Sequence, residues 1–119
     1  TIKGESWFIE SLSSNIFTLS AGTYKFNIRA PFYRSGDLRI RLYDTTNSVG
    51  DIGASAFAQT NEAGTVYVFY EAIKTVTAST GFRVEYSAEY DSGSSCLGNA
   101  TNDTGEFEIY TTVQIEKLK

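Results

Sequence analysis

The 119-residue chain contains no histidine. That absence removes a Ser-His-Asp triad, a Cys-His dyad and any His-ligated metal together. There is one cysteine, Cys96. It allows no disulfide within the chain and no zinc site built on thiolates. Methionine is missing, and proline occurs once, as Pro31. No apolar run approaches the ~20 residues that a spanning helix needs, so membrane insertion is not expected. A basic excess is also missing. The net charge is −4 with a pI near 4.7. No basic patch or stripe is visible, so nucleic acid is not an expected partner. No signal peptide stands out. The chain opens on Thr1, and we expect 1–119 to be a single domain, the C-terminal part of a longer protein. Helix signals are lacking as well: nowhere do apolar residues recur at three-four spacing with caps.

What the chain does have is aromatic and threonine-rich. Eight tyrosines and eight phenylalanines with scattered glycine make a β composition. A domain of this size buries roughly two-thirds of the surface its unfolded form exposes, enough for a core without staples.

The strongest pattern runs from Phe17 to Ala30. Phe17 and Leu19 alternate with Thr18. Tyr24, Phe26, Ile28 and Ala30 then alternate with Lys25, Asn27 and Arg29. A period of two puts the apolar set on one face of a sheet. Gly22 lies where the chain must turn between the two, a place for positive φ. Further readings complete the chain. A first strand covers 5–11, where Trp7, Phe8 and Ile9 make both faces apolar. Ser13-Ser14-Asn15 makes a turn. Pro31 should end the ladder of its strand or sit at a bulge, because it lacks an N–H. Leu38, Ile40 and Leu42 alternate cleanly with Arg39, Arg41 and Tyr43; a polar loop follows over 44–50. A weak strand covers 52–59. Over 65–76, Val66, Val68 and Tyr70 share one face and Tyr67, Phe69 and Ile73 the other. Phe82, Val84, Tyr86, Ala88 and Tyr90 alternate with Arg83, Glu85, Ser87 and Glu89. A last strand over 106–118 puts Phe107, Ile109, Val113 and Ile115 opposite Tyr110, Thr112 and Gln114. Eight strands of this length suit a two-sheet antiparallel jelly roll; pattern alone leaves an immunoglobulin-like sandwich open.

Two stretches carry a resemblance. Phe17-Thr18-x-x-x-Gly22-x-Tyr24-x-Phe26 resembles the early-strand signature of the trimeric jelly-roll domains of the complement globular-head and tumour necrosis factor superfamily. The run through Ala30-Pro31-Phe32-Tyr33 to Arg39–Asp44, and the closing Glu108-Ile109-Tyr110-Thr111-Thr112-Val113-Gln114-Ile115, look more like viral and phage relatives that cap fibres. The complement heads usually close on a Phe-Ser-Gly-Phe type motif, which this chain lacks. The resemblance implies a tumour necrosis factor-like jelly roll and a homotrimer. It also implies that the first, sixth and last strands share one sheet facing a threefold axis.

Candidate chemistry is sparse. Glu85 and Glu89 share one strand face, and Glu106 and Glu108 another. Two carboxylates flanking a cleft are what glycoside hydrolysis needs, but a solvated strand face is the simpler reading. Asp44, Asp51, Asp91 and Asp103 lie in loops without a calcium-loop spacing. We therefore expect no catalytic residue, no metal and no cofactor. The loop from 91 to 105, which opens on Asp91 and closes on Gly105, is the longest and a candidate for receptor binding. It holds Cys96 and two glycosylation triplets, at Asn99 and Asn102.

The strands that are apolar on both faces are the best functional signal. A two-layer domain needs only one, so the second argues for a subunit interface at Phe8, Tyr67, Phe69 and Tyr110. The expectation is a non-enzymatic trimeric head of a viral or phage fibre, located extracellularly on a virion surface. It would present loops to a host glycan or protein receptor. A monomeric carbohydrate-binding sandwich and a cytokine-like or complement-like trimeric ligand are the alternatives. With one Cys and no His, chelator and reductant should leave the melting temperature unchanged; a large drop with chelator would point to calcium in the loops.

Overall fold

The computed structural model describes residues 7–34, 36–58, 65–89 and 111–119. Among them are eight strands and no helix: β1 (Ile9–Ser13), β2 (Ile16–Leu19), β3 (Gly22–Tyr33), β4 (Gly36–Asp44), β5 (Val49–Ala58), β6 (Thr65–Val76), β7 (Thr80–Ala88) and β8 (Thr112–Lys117). They form two antiparallel sheets, ordered β1-β2-β7-β4-β5 and β6-β3-β8. Most neighbours in space are distant in sequence, because the chain crosses repeatedly from one sheet to the other. That is a jelly-roll sandwich.

Alternation explains which side chains fill the space between the layers. From β3, Tyr24, Phe26, Ile28 and Phe32 are fully buried, as are Leu19 from β2 and Val68 from β6; β4 contributes Leu38, Ile40 and Leu42. The centre is aromatic. Phe26 packs 5.5 Å from Phe82, 6.4 Å from Phe17 and 6.5 Å from Tyr24, measured between ring centroids. Phe17 stacks on Phe82 at 6.0 Å. These rings come from both sheets, so they hold the layers together as well as filling the gap.

Several expectations are corrected. The segment from Phe17 to Ala30 is not a hairpin. β2 and β3 lie in different sheets, so the connection at Ser20-Ala21 is an arch. The Tyr24 hydroxyl donates to the Ser20 carbonyl at 2.8 Å and pins that arch. Gly22 has no positive φ. It is small because a Cβ there would lie 2.7 Å from the Lys119 carbonyl oxygen and 2.9 Å from Lys117 Cε. The real hairpin is β1–β2, closed by Ser14 and Asn15 at φ 53° and 63°. Two consecutive positive φ values are the twist-matched turn for a two-residue loop. That hairpin ties β1 to the five-stranded sheet, away from β6 and β8, so the first strand does not share their layer. The strand also starts later than expected, at Ile9.

Pro31 neither ends nor bulges its strand: β3 runs on to Tyr33, with Pro31 opposite Tyr67 in an unshifted register. Among the described residues the pairing of β3 with β8 reaches Arg29. The expected 44–50 loop is shorter, a turn at 45–48 built on Asp44. The Asp44 carboxylate accepts from the Thr46 and Asn47 amides at 3.0 and 2.8 Å.

Phe26 is the most constrained of the core residues by its ring contacts. Phe26→Ala should destabilise the protein by ~3–5 kcal/mol in denaturant unfolding. A loss within ~0.5 kcal/mol, the scatter of surface substitutions, would contradict this placement.

Candidate functional site

The candidate site lies on the outer face of the three-stranded sheet and in the cleft where β6 meets β5. Its origin is the alternation of β6. Because Val68 and Tyr70 point into the core, Tyr67, Phe69 and Ile73 must point out. They are 43%, 54% and 64% exposed. From Tyr67 to Ile73 the row is about 20 Å long, at the usual rise per residue. Glu71 interrupts it and pairs with Lys25 on β3, Nζ to Oε1 3.6 Å. Arg29, opposite Phe69 in the register, places its guanidinium 5.0 Å from the Tyr67 ring centroid. The row is thus apolar at Tyr67, Phe69 and Ile73, with Glu71 set within it and Lys25 and Arg29 beside it on β3.

The cleft beside it measures about 400 Å³ and is lined by Asp51, Ile52, Gly53, Phe69, Tyr70 and Glu71. Ile52 is 58% exposed, so it extends the apolar surface from β6 onto β5. Gly53 lets the two strands approach. A Cβ there would come within 2.9 Å of the Phe69 carbonyl oxygen and 3.2 Å of Tyr70 Cβ.

Asp51 locks this corner. Its Oδ2 accepts from the Tyr70 hydroxyl at 2.7 Å and pairs with Lys74 Nζ at 2.9 Å. Hydrogen bonds from Lys74 first, then Tyr70, hold the Asp51 carboxyl below its ordinary 3.8, against a smaller opposing effect of burial. Burial, and then the Asp51 carboxylate, push the Tyr70 hydroxyl far above its ordinary value. Tyr70 therefore donates to Asp51 throughout the working range and does not ionise. This is a structural clasp with no free acid or base.

The expected site residues divide as follows. Tyr67 and Phe69 lie together on the outer face. Phe8 does not join them: it is buried against Tyr24, ring centroids 5.6 Å apart, and belongs to the core. One residue earlier the phase reverses, and Trp7 is 72% exposed with Lys117 Nζ 4.8 Å from its ring centroid. Tyr110, the 91–105 loop, Cys96, Asn99, Asn102, Asp91, Asp103, Glu106 and Glu108 lie outside the described residues. Glu85 is held by Arg41 and Arg83, and Glu89 accepts from the Asp37 amide at 3.2 Å. Asp44 is engaged in its own turn, so neither it nor Asp51 is an open ligand. Among the described residues no three His, Cys, Asp or Glu side chains gather. Sequence reasoning missed Ile52 and the Asp51–Tyr70–Lys74 clasp. The signal for Ile52 was faint, because its strand is rich in small residues. The clasp joins residues 19 apart or more, and no local pattern encodes it.

The clasp gives a pH prediction. A folded-state carboxyl held below its ordinary value adds stability that is complete above that value and fades as pH falls through the lowered one. The stability difference between the unmodified protein and Asp51→Asn should therefore be widest near neutrality and shrink below about pH 4. Urea unfolding across that range measures it. A constant difference would mean that the clasp does not form in solution.

No protein-family model matches the chain, and no curated protein does. Among solved structures it is similar to the globular domain of zebrafish complement 1qA protein, at 18% identity and a TM-score of 0.49. The match covers 86% of this chain and 65% of that one. At that identity and score the likeness carries no argument about function; the jelly roll stands on the strand order itself.

Proposed function

We propose that the chain is a non-enzymatic, homotrimeric jelly-roll head, forming the C-terminal part of a viral or phage fibre or other virion surface protein. It trimerises through the outer face of the β6-β3-β8 sheet and presents loops, the 91–105 loop first among them, to a host glycan or protein receptor. The observation that carries this reading is the exposed row of Tyr67, Phe69 and Ile73, continued by Ile52. A two-layer sandwich has no third layer to cover such a row, and a second copy does so with the same chemistry. Tyr110 remains part of the proposed interface; Phe8 does not, because its ring is used inside the protomer. The sequence resemblance to trimeric heads supports three copies over two. A complement-like or cytokine-like ligand would share the same trimer. A monomeric carbohydrate-binding module is the competing reading, and it draws on the exposed ring of Trp7 as a stacking platform.

The test is a charge at the middle of the row. Around a threefold axis Phe69→Glu brings three carboxylates together in a poorly hydrated centre, where they repel. The protomer fold suffers less, because Val68 and Tyr70 still pack inward. Phe69→Glu should therefore run at the 13.1 kDa mass of one chain, with its β circular dichroism retained. Arg83→Glu, on the other sheet, should stay trimeric. A trimeric Phe69→Glu would place the axis elsewhere.

A further inference from the structure

We propose that the outer face of the five-stranded sheet binds an anionic glycan through Arg39, Arg41 and Arg83. This deepens the glycan part of the reading above and does not depend on the trimer.

The register assembles the face. With Leu38, Ile40 and Leu42 inside, β4 turns Arg39, Arg41 and Tyr43 outward. On β7, Glu85 stands opposite Arg41 and Arg83 opposite Tyr43. Glu85 then organises both arginines. Arg41 brings Nε and Nη2 to Oε1, both at 2.6 Å. Arg83 brings Nε and Nη2 to Oε2, at 2.8 and 2.5 Å. Both guanidinium groups lie 5.0 Å from the Tyr43 ring centroid. Arg39 Nε donates to Ser55 Oγ at 2.9 Å. Gly50 on β5 leaves room for Arg41: a Cβ there would lie 3.0 Å from Arg41 Cδ and Nη1.

The result is a cationic patch of three arginines around Glu85, on an acidic protein. Three of the chain's five arginines share it with one carboxylate at their centre, while the chain as a whole carries −4. Asp37, two residues from Arg39 on the same face of β4, and Glu89 beside it bound the patch at its Arg39 end, where the Glu89 carboxylate accepts from the Asp37 amide. The Arg41 and Arg83 side chains stay 46% and 43% exposed. A guanidinium has five N–H donors, and Glu85 occupies one edge of each fork, so donors remain for a second oxyanion. Their geometry is already fixed, which lowers the ordering cost of binding.

The spacing favours a polymer. Arg39 and Arg41 are two residues apart on one strand, about 7 Å. Arg83 lies diagonally across the next strand, about 7–8 Å further. Such a row matches repeating sulfate or carboxylate groups better than one small anion. Ser55 and Ser87, which flank Arg39 in the register, offer hydroxyls to sugar hydroxyls. Single-stranded nucleic acid would want a free aromatic face for its bases, whereas the Tyr43 ring is taken by two guanidinium groups.

Calorimetric titration of the unmodified chain with a heparin-derived hexasaccharide tests this. Saturable binding is expected in low salt, weakening at least about tenfold toward 0.3 M salt as screening shortens. The Arg41→Gln, Arg83→Gln double variant should lose at least about tenfold in affinity. Arg39→Gln should lose a smaller factor, and Lys25→Gln, on the other sheet, none. Gly50→Val keeps every charge but displaces Arg41; it should weaken binding several-fold, which net charge alone would not do. Melting curves show that each variant is folded. Absence of heparin binding, an unchanged double variant, or equally tight binding of single-stranded DNA of similar length would overturn the proposal. Light scattering on the same samples reads the oligomer separately, so a failed titration and a failed trimer are distinct results.

Discussion

Phe26, Phe17 and Phe82 meet between the sheets, and much of the molecule follows from that contact. The rings come from strands of opposite layers, so neither sheet can slide or rotate without losing them. Once they are fixed inside, a period of two fixes every other side chain of β2, β3 and β7. A one-residue slip would put the rings in water and Thr18, Asn27 and Arg83 in the core. The register is therefore set by the interior, and the exterior is its consequence.

That consequence differs between the layers. The three-stranded sheet turns out a row of large apolar residues on β6. The five-stranded sheet turns out arginines gathered on one glutamate. One exterior carries an apolar row among charged neighbours and the other carries fixed cations, and on these rest the two proposals, a second copy of the chain and an anion. Small residues maintain both. Gly53 lets β5 close on β6 beside Phe69, and Gly50 lets Arg41 lie across β5. The Asp51 clasp fastens the same corner with a carboxylate that stays ionised over most of the pH range.

Much of this was legible in the sequence, and the reasons are physical. Local alternation reports faces, so the buried set of β3, β4 and β6 and the exposed Tyr67, Phe69 and Ile73 follow from it directly. Pairing partners are another matter. Nothing local says that β2 and β3 part into different sheets, because an arch and a hairpin share the same turn residues. Gly22 illustrates the difficulty: turn chemistry suggests positive φ, but the cause is the approach of Lys117 and Lys119 from the far end of the chain. The run Trp7-Phe8-Ile9 misleads in a related way. Three apolar residues in a row have no phase of their own, and the tertiary packing put Phe8 inside and Trp7 outside. The Arg41–Glu85–Arg83 cluster joins residues 44 apart, visible only once β4 and β7 are neighbours.

The central claim is that the outer face of the β6-β3-β8 sheet is covered by other copies of the same chain. The mass of the unmodified domain in solution, by light scattering at micromolar concentration, tests it most directly. A value near three times 13.1 kDa is expected. A value of one chain mass that persists as concentration rises would contradict it, leaving Tyr67, Phe69 and Ile73 as an uncovered surface.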